Sequence, residues 1–103
     1  MPGHTFYDFD WDPAKARTNL RKHGVSFRLA TTVFRDPLAL TILDDEHSEH
    51  EERWVTIGRA ESGQYLVVVH TSEWRGATKI KVRIISARKA DRQEVRDHED
   101  APR

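Results

Sequence analysis

The sequence predicts a single α+β domain: an N-terminal strand, a two-helix hairpin, a four-stranded antiparallel meander and a C-terminal helix. Three observations lead there. Between residues 7 and 34 the apolar pattern switches from a period of two to spacings of three and four, the change that separates strand from helix. Between residues 38 and 86, four apolar or alternating runs are divided by short polar or glycine-containing segments, the pattern of consecutive hairpins. The 103 residues leave room for one hydrophobic core, and folding at this size buries roughly two-thirds of the surface the unfolded chain exposes. The domain is therefore expected to span 1–103, with its core over about 7–97 and frayed ends.

Tyr7 to Trp11 alternates aromatic and acidic residues, so Tyr7, Phe9 and Trp11 should face inward from a short strand. Asp12-Pro13 then reads as an N-cap followed by proline at the first helical position, where its missing N–H costs nothing. The helix runs to about His23 and stops at Gly24. Its expected apolar stripe is Ala16, Leu20 and His23, with Lys15, Asn19 and Lys22 on a polar stripe. Ser26 can cap a second helix in which Phe27, Ala30, Val33 and Phe34 recur at helical spacing before Asp36-Pro37.

Leu38 to Leu43 reads as a strand, and Asp44 to Glu52 as an acidic loop with no apolar anchor. Arg53 to Arg59, Tyr65 to Thr71 and Thr78 to Ser86 complete the meander, with turns at Ser62-Gly63 and around Gly76. Consecutive apolar residues from Val67 to Val69 mark a central strand covered on both faces. In the last strand Ile80, Val82 and Ile84 point one way and Lys79, Lys81 and Arg83 the other, so one side is core and the other a cationic stripe. From Lys89 onward the chain is polar and helix-forming. Both helices of the hairpin are placed on one face of the sheet, leaving the opposite face open to a ligand or partner.

The 17 basic and 17 acidic residues cancel, but not by even mixing. Residues 1–35 carry six basic and three acidic side chains, 36–53 one and seven, 54–90 seven and two, and 91–103 three and five. Two basic regions flank an acidic insert, and a fold that joins them makes a local cationic surface despite zero net charge. The chain has no cysteine, which excludes a disulfide framework, a thiolate nucleophile and Cys-based metal sites. The N-terminus lacks signal-peptide layout and no apolar run reaches the length of a membrane span, so a soluble cytoplasmic protein is expected.

Three blocks carry a resemblance to a known family. The first is Phe9-Asp10-Trp11-Asp12-Pro13-Ala14-Lys15 continuing through Asn19-Leu20, Lys22-His23-Gly24-Val25, Phe27 and Ala30. The second is Glu52-Arg53-Trp54-Val55-Thr56-Ile57-Gly58-Arg59, and the third Arg83-Ile84-Ile85-Ser86-Ala87-Arg88-Lys89-Ala90. In this order, over roughly residues 7 to 96, the chain resembles the BrnT family of bacterial toxins. The first eight residues, His47 to Glu52, Ser72 to Lys79 and the tail depart from the family pattern.

The resemblance implies a RelE-like ribonuclease fold and a toxin of a type II toxin–antitoxin system that cuts RNA, inhibits translation and arrests growth. It also implies a BrnA-type ribbon-helix-helix antitoxin encoded alongside, two toxins assembling with two antitoxins, and operator DNA contacted mainly by the antitoxin. No cofactor is implied.

Cutting RNA without a metal requires attack of a 2′-hydroxyl on the adjacent phosphorus, with a base, an acid and fixed positive charge at the transition state. Arg59, Arg83 and Arg88, each in a family-like block, are the candidate stabilisers, because guanidinium is always charged and its fork fits phosphate oxygens. Arg83 and Arg88 are expected to face one phosphate. Arg59 shares parity with Val55 and Ile57, expected to be the core side, so it needs a bulge or a projection past the core edge to reach an open face. His70 is the candidate base, with a buried structural histidine as the competing reading.

Lys15, Lys22, His23 and Lys81 are the candidate RNA contacts, His23 also reading as a helix C-terminal cap. His47 and His50 sit in a polar loop without the i, i+4 spacing of a zinc helix, so no metal is expected. Trp74, in a turn, can stack on a base. The antitoxin is expected to cover either the cationic stripe or the open sheet edge with an acidic or apolar segment. A non-catalytic module that binds antitoxin and nucleic acid, a degenerate toxin, is the alternative function.

Overall fold

The computed structural model describes residues 5–102. Its elements are β1 (Phe6–Asp10), α1 (Pro13–His23), α2 (Phe27–Thr31), β2 (Leu40–Leu43), β3 (Trp54–Arg59), β4 (Tyr65–Arg75), β5 (Lys79–Lys89) and α3 (Arg92–Asp100), with 3-10 turns at Thr32–Arg35 and Asp45–His47. The expected element order is present. The sheet is five-stranded and mixed, in the order β1-β5-β4-β3-β2. The meander of β2 to β5 is antiparallel, whereas β1 runs parallel to β5, Phe6 beside Lys79 and Asp10 beside Arg83. The four-stranded description is thus corrected: β1 joins the free side of β5, where Tyr7 and Phe9 stack on one another and meet the Phe34 ring at a tilt.

The caps act as their residue types dictate. The Asp12 carboxylate accepts the Ala14 amide at 2.9 Å, and the Ser26 hydroxyl accepts the Leu29 amide at 3.0 Å. Gly24 closes α1 in the left-handed conformation, φ 68°, with its amide on the Leu20 carbonyl. α1 and α2 place Val25, Phe27, Ala30 and Val33 against Leu66, Val68, Val82, Ile84 and Ala87.

Inside α1 the buried residue is Asn19, while Leu20 is 51% exposed. Both lie within one helical turn of Ala16 and His23, so spacing alone permits either. Backbone chemistry decides. β1 covers β5 only as far as Arg83, and beyond it Asn19 takes over: its Nδ2 donates to the Ala87 carbonyl at 2.8 Å and its Oδ1 accepts the Ala87 amide at 3.1 Å. A leucine there would leave both backbone groups buried without partners.

β4 and β5 are longer than expected, reaching Arg75 and Lys89, and meet in a turn where Gly76 has φ 74°. Ile80, Val82 and Ile84 do face the core, opposite Lys79, Lys81 and Arg83. Between His70–Ile84 and Val69–Ser86 the register shifts, leaving Ile85 as an extra residue on β5. The bulge turns Ala87 into the core and sends Ser86 and Arg88 to the outer face.

That outer face is partly covered. α3 is tied to it through Arg88, which bonds Glu94, and through Tyr65, whose ring meets that of His98. The central strand is accordingly buried from both sides, with Val67 4% exposed and Leu66 and Val68 fully enclosed. His98 also reaches the Asp36 carboxylate, at 3.2 Å, at the margin of the sheet.

Candidate functional site

β5 is the spine of the candidate site. Its outer face carries Lys79, Lys81, Arg83, Ser86 and Arg88, and the register of β4 and β3 adds Thr71, Tyr65 and Arg59 to the same face. Arg59 needs no bulge. The core side of β3 is Trp54, Thr56 and Gly58, which pair with His70, Val68 and Leu66, so the face shared by Val55, Ile57 and Arg59 is the outer one. The expectation that this parity leads into the core is corrected: a cavity-free approach of Gly58 to Val33 and Ala39, and not the apolar content of the alternate residues, marks the inner side.

The arginines share a face but do not converge. Arg83 and Arg88 are separated by five strand positions, roughly 16 Å along the chain, and each is engaged by a carboxylate. The Arg83 guanidinium donates to Glu51 of the acidic loop, and Lys81 pairs with Asp10 of β1 at 3.4 Å. These groups and Glu52, Thr71 and Arg75 enclose a cleft of about 410 Å³. Arg88 makes a two-pronged bond to Glu94, both contacts 2.8 Å. Those bonds hold the Glu94 carboxyl below its ordinary value against the opposing effect of burial, and raise Arg88. Glu94 also accepts the Asp91 amide while Asp91 accepts the Glu94 amide, a capping box that fixes the start of α3. The expectation of one phosphate shared by Arg83 and Arg88 does not describe this arrangement. Arg59 stands over the Tyr65 ring, 5.9 Å from its centroid.

His70 lies on the other side of the sheet. It is 1% exposed and edge-on to Phe34, with ring centroids 4.9 Å apart. Its Nδ1 lies 3.1 Å from the Thr71 carbonyl and its Nε2 2.7 Å from the Thr56 hydroxyl, which in turn meets Thr41 at 2.8 Å. A carbonyl only accepts, so Nδ1 donates; burial disfavours the charged ring, and the neutral ring leaves Nε2 to accept from the Thr56 hydroxyl. Burial pushes its pKa down, opposed by the bond to Thr71. Enclosed in this way, His70 has no access to a phosphate on the outer face, and the role of base is corrected to that of a buried connector of β2, β3 and β4.

Lys15, Lys22 and His23 do come together. With Thr18, Ile85 and Ser86 they line a shallow cleft of about 310 Å³ where α1 meets the exposed edge of β5. Lys81 belongs to the Arg83 cleft instead. Trp74 is 60% exposed at the far end of β4, opposite Ile80. In the acidic loop, His47 pairs with Asp44 at 3.0 Å, while the Ser48 hydroxyl donates to the Asp44 carbonyl and accepts the Arg53 amide. Asn19, expected on the polar stripe of α1, is buried, and the sequence reading assigned Glu51 and Glu94 no partner. Only Asn19 left a signal there, its position one turn from Ala16 and His23.

Fold and site define a small α+β domain with arginines on the outer face of a mixed sheet, and the comparisons give its family. The model of the family described as "Ribonuclease toxin, BrnT, of type II toxin-antitoxin system" matches residues 11–94, from just after β1 into α3. The chain belongs to this BrnT family. It is also similar to the crystal structure of the Brucella abortus ribonuclease toxin BrnT, with a TM-score of 0.58 and 21% identity, over 85% of this chain and all of that one. No curated protein sequence matches. Among the described residues no helix is long and apolar enough to cross a membrane.

Proposed function

We propose that this chain is a metal-independent endoribonuclease toxin of the cytoplasm, with a RelE-like fold, whose RNA-cleaving surface is the outer face of β5. The observation that carries the reading is the placement of Arg59, Arg83 and Arg88 on one sheet face in a member of a ribonuclease toxin family. In 2′-hydroxyl attack the negative charge builds on the non-bridging phosphate oxygens, and a guanidinium fixed before the reaction stabilises it without reorganising. Arg83 has the leading part in this task, because it lines an open cleft together with Lys81. Lys15, Lys22 and His23 contact the RNA where it passes the edge of β5, and Lys81 holds a neighbouring phosphate. Cleavage inhibits translation and arrests growth.

A BrnA-type ribbon-helix-helix antitoxin neutralises the toxin in a complex of two toxins with two antitoxins, and contributes most of the contact to operator DNA. The alternative, a degenerate toxin that binds antitoxin and nucleic acid without cutting, is favoured by one observation: Arg83 and Arg88 are each already paired with a carboxylate. RNA incubated with the purified protein in EDTA separates the two. New 2′,3′-cyclic phosphate ends support the enzyme. Intact RNA with salt-dependent binding supports the module.

A further inference from the structure

Natural sheets protect their outermost strands with lysine, proline, bulges or a covering element, because an uncovered edge offers its backbone to any extended chain. β2 is the outermost strand on the side away from β1. Its sequence, Leu40-Thr41-Ile42-Leu43, contains no charge and no proline, and its pairing with β3 is regular from Leu40–Ile57 to Leu43–Trp54. Ile42 is 61% exposed and Leu43 36% exposed, on opposite faces of the sheet. The edge is therefore apolar above and below.

The backbone register shows which groups face outward. The Asp44 amide donates to the Arg53 carbonyl at 2.8 Å, continuing the ladder with β3. By the period of two, Ile42 and Leu40 also direct their backbone groups to β3, and Thr41 and Leu43 direct theirs away from the sheet. Among the described residues no other strand lies on that side. Directly beyond Leu43 come Asp44, Asp45 and Glu46, at the start of the most acidic stretch of the chain.

We infer that β2 is the docking edge for an extended segment of the antitoxin, which adds a sixth strand to the sheet. The segment places apolar side chains over Ile42 and Leu43 and basic ones beside Asp44, Asp45 and Glu46. Its backbone bonds Thr41 and Leu43. Charge selects this occupant: β2 of a second copy contains no cation to set beside the acidic loop, whereas a basic segment supplies one. The inference deepens the partner reading above and rests on it. Of the two contacts expected from the sequence, it selects the open sheet edge over the cationic stripe, with a segment that is apolar and basic in place of one that is acidic or apolar.

The test uses the full chain and the purified product of the neighbouring antitoxin gene. Dissociation constants are measured for wild type, Ile42→Lys and the charge-reversed Asp45→Lys/Glu46→Lys, with backbone amide exchange followed in the free and bound toxin. The expected result is at least a tenfold loss of affinity in each variant, a weaker salt dependence in the second, and new protection at the Thr41 and Leu43 amides. RNA cleavage by the free Ile42→Lys toxin stays at the wild-type level. Unchanged affinity in Ile42→Lys, or unchanged exchange at Thr41 and Leu43, overturns the inference. So does an antitoxin-free dimer in sedimentation that Ile42→Lys dissolves, which assigns the edge to a second copy. Affinity is read without cleavage, so an inactive toxin refutes the enzymatic reading and leaves this result intact.

Discussion

Asn19 and Ala87, 68 positions apart in the chain, are joined by a pair of hydrogen bonds that make the side chain of α1 a substitute strand for the uncovered part of β5. The same amide group donates to the Val25 carbonyl at 2.9 Å, so one residue holds the end of α1, the entry to α2 and the edge of the sheet. It also holds β5 just beyond its bulge, which directs Arg88 outward.

Asn19→Ala leaves the Ala87 amide and carbonyl buried without partners, at a cost of about 3 kcal/mol. Urea denaturation should show that loss, while Leu20→Ala, at an exposed position, changes stability by less than about 1 kcal/mol. Equal effects of the two substitutions contradict the role given to Asn19.

The buried His70 gives stability a defined pH dependence. Its folded pKa lies below the ordinary 6.5 because burial disfavours the charged ring. Below about pH 6.5 the unfolded chain binds the proton more readily, so the contribution is complete above that value and lost as pH falls through the folded pKa. The urea midpoint should decline on acidification from pH 7.5 to 5.5, and less steeply in His70→Asn than in wild type. Parallel slopes rule out the buried neutral ring.

Gly58 is required for space. A Cβ there would lie 2.8 Å from Val33 Cγ1 and 3.1 Å from the Ala39 Cβ, on the core side of β3. Overpacking of this kind costs about 1–3 kcal/mol. Thermal melting should show Gly58→Ala to be destabilised, and the penalty should shrink when it is measured in a Val33→Ala background.

In the proposed site, where Arg83 holds an RNA phosphate, its partner Glu51 is a competitor. A phosphate entering the cleft must displace the carboxylate, so Glu51→Gln should strengthen RNA binding by roughly 2- to 5-fold at low salt, the range of an exposed ion pair worth less than about 1 kcal/mol. The gain should fade as salt screens both interactions. Weaker binding by Glu51→Gln contradicts the competition.

Much of the fold was legible because it rests on local rules. Asp12-Pro13, Gly24 and Ser26 fixed the helix ends, and the alternation of Lys79 to Ile84 correctly divided that strand into core and cationic faces. What was missed depends on long-range pairing. The parallel attachment of β1, the bulge at Ile85 and the burial of Asn19 in preference to Leu20 all arise at β5, from partners remote in sequence. The candidate site was legible in its residue types and in the shared exposure of Arg83 and Arg88. It was not legible in its partners, because Glu51 and Glu94 sit in polar segments with no periodicity to mark them. The parity of Arg59 was read correctly, but the side to which it led was not: Thr56 and Gly58 face the core, and Val55 and Ile57 do not.

The central claim is that the outer face of β5 cuts RNA. The most direct measurement is the rate of RNA cleavage in EDTA by wild type, Arg83→Ala and Arg88→Ala, each checked for folding by circular dichroism and melting. Loss of a charge that acts at the transition state costs on the order of 100-fold in rate, so the account predicts wild-type cleavage with 2′,3′-cyclic phosphate ends and at least that loss in both folded variants, together with loss of growth arrest. Full cleavage and full toxicity by both variants would contradict it.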